Sequence, residues 1–216
     1  MNHKLTIALK RLNTILPLKK NQDNCTAEIK ELHQQILRSF VTNGRILTKD
    51  EMSHWVNDVP ETINVLSKYD MVTFSENGEP IGAYPFTMTE RVHEVHVNGH
   101  QIHAMCALDA LAVGPMFKET TQIRSQCAVT ETPVKINMSG ETILNLAEVQ
   151  DAHFGIAWDA ANAASCCADS LCLEMIFLRD TETAQKWLSD DSDGREVFTL
   201  QEAVRFASQF FVPLLP

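Results

Sequence analysis

Two hydrophobic periods alternate along the chain, and the places where one gives way to the other mark its elements. Behind Thr26, the residues Ile29, Leu32, Ile36, Leu37 and Phe40 recur at steps of three and four, so the spacing predicts a helix over 26–41 capped by that threonine. Thr48 followed three residues later by Glu51 is a reciprocal capping arrangement, and it predicts a second helix to about Trp55. Pro60-Glu61 opens a third, with Ile63, Leu66 and Tyr69 facing inward. Two extended runs around Asn77-Gly78 follow as a hairpin.

Beyond residue 90 the period falls to two. RVHEVHV and HQIHAM flank Asn98-Gly99, a strong signal for a two-residue turn. That turn pairs Val97 with His100, Val95 with Ile102 and His93 with Ala104. TQIRSQCAV, PVKINMSG and AHFGIAW read as further strands. LCLEMIFLRD is apolar on both faces, as a central strand would be. Residues 183–188 and 200–211 return to helical spacing. The fold class is therefore α+β: a helical, winged-helix-like module over 1–90, then a strand-rich domain over 91–216 with C-terminal helices.

Charge limits what such a module does. Three short helices and a hairpin are the outline of a DNA-binding winged helix, but residues 48–70 offer only Lys49 and Lys68 to the phosphates. The chain of 216 residues carries 18 Lys and Arg against 28 Asp and Glu, a net charge of -10. Nucleic acid and anionic membrane are excluded as partners, and the helices are read as a packing module. Lys10 and Arg11 interrupt the first apolar residues too early for a signal peptide. With no apolar run long enough to span a bilayer, a cytoplasmic address is expected. There the six cysteines are thiols rather than disulfides.

Four histidines crowd the 98–99 hairpin and suggest zinc. Strand alternation separates them: His93 and His100 fall on one face, His96 and His103 on the other, so they do not converge on one ion. Surface or half-buried histidines are expected instead.

The chemistry lies with the cysteines. From 103 to 115 the period changes from two to 3.6 near Cys106, and Gly114-Pro115 should stop the helix. Cys106 then sits at a helix N-terminus, where the dipole and free N–H groups favour a thiolate. Asp109 follows on the same face, and burial beside a thiolate should raise its pKa until it holds a proton near neutral pH. Taken alone, these residues read better as a structural cysteine and an ordinary first-turn aspartate.

Cys106-Ala-Leu-Asp-Ala-Leu resembles the active-site segment of the alkylmercury (organomercurial) lyases. The likeness covers most of the chain beyond about residue 40. It takes in the helical module, the NGEPIGAYPFTMT hairpin, Ser125-x-Cys127 (Cys127 lying 21 positions after Cys106) and LCLEMIFLRDTETAQKWL. Its local match puts the second catalytic cysteine at Cys172, not at the adjacent Cys166-Cys167 pair.

The resemblance implies cleavage of a carbon–mercury bond to a hydrocarbon and thiolate-bound Hg(II), with Cys106 and Cys172 on the metal and Asp109 as proton relay. It implies a structural Cys127 and no required cofactor. A thiol is the implied co-reactant, and a low-molecular-weight thiol or a mercuric reductase the implied acceptor of Hg(II). The alternative is a non-catalytic soft-metal carrier of the same fold. Two departures stand out: Ala104 and Met105 replace the aromatic residues common before the first catalytic cysteine, and Cys166 and Cys167 are additional. This pair, in a polar loop-like setting from Ser165 to Asp169, is expected to form an extra soft-metal or mercury-relay site. Cys25 is assigned no role.

Overall fold

In a computed structural model of the chain, the described residues are 3–162 and 166–215. The first two helices, α1 (His3–Ile15) and α2 (Leu18–Asn24), precede those the pattern predicts. The α1 residues Leu5, Ala8 and Leu12 are buried. The 26–41 pattern forms α3 (Ala27–Asn43), where the Thr26 side chain accepts from the Ile29 N–H and Gly44 closes the helix at φ 69°. The capping box at Thr48 and Glu51 is present, but α4 (Lys49–Met52) ends before Trp55. Ser53 turns its hydroxyl onto the Asp50 carbonyl at 2.6 Å, the local competition that makes serine a weak helix interior. Asp58 caps α5 (Val59–Lys68), whose inward residues are Thr62 and Leu66.

The hairpin around Gly78 supplies β1 (Thr73–Phe74) and β2 (Pro80–Ala83), and β3 (Phe86–Thr87) follows. Next come β4 (His93–Val97) and β5 (His100–Ala104), in the expected register of Val97 with His100 and His93 with Ala104. Helix α6 (Ala107–Phe117) leads to β6 (Thr120–Gln126), β7 (Pro133–Ser139) and β8 (Thr142–Ile143). These strands make one antiparallel sheet in the order β1-β2-β3-β5-β4-β6-β7-β8, so it runs unbroken through residue 90.

A second sheet follows α7 (Leu146–Val149). It has the order β10-β9-β11, built from β9 (His153–Ala157), β10 (Met175–Leu178) and β11 (Arg195–Thr199). Helices α8 (Thr181–Ser189) and α9 (Leu200–Phe211) complete it. The run expected as a central strand is thus an edge strand, and its first part, Leu171–Glu174, is a 3-10 turn. Its apolarity comes from a seam instead. Cys127 bridges Phe177 in parallel and the Ala128 N–H donates to the Phe177 carbonyl at 3.0 Å, tying β10 to the end of β6.

Helix α6 is buried from Ala107 to Met116, which explains why it shows no polar stripe. It continues through Pro115 to Phe117, three residues past the stop expected at Gly114. Gly114 serves proximity rather than termination: a Cβ there would lie 2.8 Å from the Gly140 carbonyl oxygen. We expect Gly114→Val to lower stability by about 1–3 kcal/mol through overpacking, read as a lower urea midpoint. An unchanged midpoint would refute that close approach.

Candidate active site

Cys106 occupies the N-cap of α6 in extended conformation, and its Sγ accepts from the Asp109 N–H at 3.4 Å. Sulfur here takes the place of the oxygen that Ser, Thr or Asp would offer. The same first turn carries the Asp109 carboxyl. From the second sheet, the 3-10 turn at 171–174 delivers Cys172, whose Sγ donates to Asp109 Oδ2 at 4.0 Å. One ligand atom from each of Cys106, Asp109 and Cys172 lies within 4.8 Å of the others. Their exposures are 1%, 2% and 4%. Among the described residues this is the one group of three or more His, Cys, Asp or Glu able to hold an ion.

Burial dominates the electrostatics. It pushes Asp109 up to about 7, while the hydrogen bonds with the Cys106 side chain and N–H pull it partly back. It pushes Cys106 up to about 12. Cys172 is raised well above the ordinary thiol range by the neighbouring Cys106 and Cys167 sulfurs and by burial. Two sequence expectations are corrected here. Cys106 is a thiol at neutral pH, because one N–H at 3.4 Å does not offset its removal from water. And Cys106 lowers the Asp109 pKa through hydrogen bonding rather than raising it as a thiolate would. Two thiols and a carboxyl that holds its proton up to about pH 7 therefore share one point. A soft ion binding there displaces the thiol protons beside a group that holds one.

Cys172 opens onto a cavity of about 210 Å³ lined in part by His93, Met105, Leu173, Ile176 and Phe177. His93 is buried, against the expectation of surface or half-buried histidines, with Nδ1 2.8 Å from Ser125 Oγ and its ring edge-on to Phe177. Burial lowers its pKa to about 4, so it is neutral. The four hairpin histidines divide between faces as alternation requires.

Cys166 and Cys167 part company. Cys167 is buried with Sγ 3.8 Å from Cys172 Sγ. Cys166 is half-buried and donates to Asp70 Oδ1 at 3.2 Å. Asp70 also accepts from the Tyr84 hydroxyl at 3.1 and 3.0 Å and from the Cys167 N–H at 3.0 Å. The setting is therefore not simply the polar loop expected, and its Ser165 lies outside the described residues. Cys127 is buried in the seam between the sheets. Burial alone would raise its pKa, but hydrogen bonds from Thr130 and from the Val129, Thr130 and Arg179 backbone lower it. Cys25 donates to the Asn21 carbonyl at 3.3 Å.

Sequence reasoning missed Asp70, Tyr84 and Met175. Met175 Sδ lies 3.6 Å from Cys106 Sγ. Asp70 and Cys166 are 96 residues apart, and no spacing rule joins them. The sole local cue at Asp70 is its φ of 50°, visible only in the structure.

Paired thiols are the donors a soft metal prefers, and here they stand beside a proton-holding carboxyl. The sequence profile of the alkylmercury lyases matches residues 86–212, and the chain belongs to that family. An alkylmercury lyase of Bacillus cereus is 23% identical over 195 residues, 90% of this chain and 87% of that protein. Another, from Staphylococcus epidermidis, is 23% identical over 163 residues, 76% of this chain and 74% of that one. The crystal structure of the mercury-bound form of MerB2 has the same fold, with a TM-score of 0.73 over 91% of this chain and 98% of that one at 18% identity.

Proposed function

We propose that this protein is an organomercurial lyase that cleaves carbon–mercury bonds by protonolysis, using Cys106 and Cys172 as mercury ligands and Asp109 as proton relay. The convergence of those three groups at one buried point is the observation that carries this reading. The substrate arrives as an organomercurial thiolate. Cys106 and Cys172 replace the thiol on mercury, and their electron density passes to the carbon. Asp109 delivers the proton it holds to that carbon as the carbon–mercury bond breaks, and takes up a displaced thiol proton in its place. The balance is complete: two protein thiols and R–Hg–SR′ give R–H, HSR′ and Hg(II) held by two thiolates. No cofactor enters this balance.

The carrier alternative is weaker, because storing mercury has no use for a buried carboxyl pushed up to about 7. The mercuric product leaves by thiol exchange, to a low-molecular-weight thiol or a mercuric reductase. All six cysteines are free, which suits a reducing cytoplasmic setting. Among the described residues no helix is long and apolar enough to cross a membrane. Residues 1–90 serve as a packing module of winged-helix outline, without the charge for nucleic acid.

Incubating the reduced protein with phenylmercury and excess thiol should release benzene over many turnovers, measured by gas chromatography. Stoichiometric mercury capture without benzene would replace this reading with the carrier.

A further inference from the structure

A third sulfur flanks this site, next to Cys172 but outside the Cys106–Asp109–Cys172 cluster. Cys172 lies beside Cys106 on one side, and on the other its Sγ is 3.8 Å from Cys167 Sγ. A disulfide would bring those atoms to about 2.05 Å, so both are thiols placed to share one soft ion. The position of Cys167 is built by its surroundings. Its N–H donates to Asp70 Oδ2 at 3.0 Å, and the Ser170 hydroxyl returns to the Cys166 carbonyl at 2.7 Å.

Cys167 also faces different space. Leu173, His93 and Phe177 line the cavity of about 210 Å³ that reaches Cys172. A separate cavity of about 230 Å³, lined by Asn21, Tyr69, Asp70 and Ser170 among others, reaches Cys167. The two share no lining residue. Cys166 is not part of this line of sulfurs, since its Sγ is turned to Asp70 at 3.2 Å and Tyr84 at 3.5 Å.

We propose that Cys167 is a third mercury ligand, which takes Hg(II) from the Cys106–Cys172 pair and presents it to an external thiol through the second cavity. Product thereby leaves by a different opening from the one that admits the organomercurial. The source of the ion rests on the lyase reading, whereas the ligand set is tested with Hg(II) alone. The step is ligand exchange without redox change. A Cys167 Sγ–Hg bond forms as the thiol releases its proton. The Cys106 Sγ–Hg bond then breaks and the Cys106 thiolate takes up a proton. Mercury stays divalent throughout.

The test loads reduced protein with one equivalent of mercuric chloride. X-ray absorption reads the sulfur shell, and stopped flow reads hand-off to a dithiol chelator. Three sulfurs are expected in wild type and in Cys25→Ser, which controls for thiol number. Cys167→Ser should show two, with hand-off slowed at least roughly tenfold. Two sulfurs in wild type, with equal hand-off in Cys167→Ser, would overturn the proposal. If Cys167→Ser does not fold, judged by circular dichroism, the wild-type shell decides alone. Benzene release by wild type is measured in parallel: its absence removes the lyase reading and leaves the sulfur count to be judged separately.

Discussion

Replacing Asp109 by Ala should slow benzene release from phenylmercury by about 10²–10⁴-fold, the range of a lost general acid, while Hg(II) still binds with submicromolar or tighter affinity to the two remaining thiols. Unchanged single-turnover rates in this variant would sink the relay. Two pH signatures accompany the change. In wild type the rate of protonolysis should fall by about tenfold per unit once pH exceeds about 7, because the carboxyl then lacks its proton. Stability should move in the same direction. The folded pKa lies above the unfolded value of 3.8, so between 3.8 and about 7 the native state binds the extra proton and loses stability as pH rises. Asp109→Ala lacks that term, so urea titrations should show the variant gaining on wild type across this window.

Cys106→Ser should abolish benzene release and weaken Hg(II) binding by more than the 10–100-fold typical of losing an outer-shell partner. A hydroxyl is a hard donor and a poor substitute for sulfur on mercury. The variant should nevertheless fold, since serine is a common N-cap and retains the bond from the Asp109 N–H. Equilibrium dialysis against a competing thiol reads the affinity. Binding as tight as wild type would remove Cys106 from the ligand set.

Much of the fold is legible in periodicity because local rules govern those segments. The Thr26 and Thr48 caps, the 93–104 register and helix α9 follow from side chains within a few positions of one another. What escapes is set by distant partners. The apolar run at 171–178 reads as a central strand, yet it is an edge whose cover comes from Cys127 and Ala128, some 50 residues earlier. Pro115 reads as a stop, yet buried surroundings carry α6 past it. Helix α1 has Leu5, Ala8 and Leu12 at helical spacing, but Lys4, Lys10 and Arg11 break up its short apolar run, and packing against the distant α9 fixes its place.

The site divides in the same way. Cys106 and Asp109 belong to one helix turn, so their common face follows from spacing. Cys172 was placed by resemblance alone. Protonation states are not legible in the sequence, because the helix-end effect is local whereas burial, which dominates at Cys106, is set by the whole fold. Cys167 beside Cys172 lies five residues away, but only the fold of the intervening 3-10 turns makes them neighbours.

The placement of Cys106 in α6 and Cys172 before β10 has a further consequence. A mercuric ion joining them is a staple across 66 positions of chain, and it restricts the unfolded ensemble as a disulfide does. A protein loaded with Hg(II) at this pair should accordingly unfold at a higher urea concentration than the free protein.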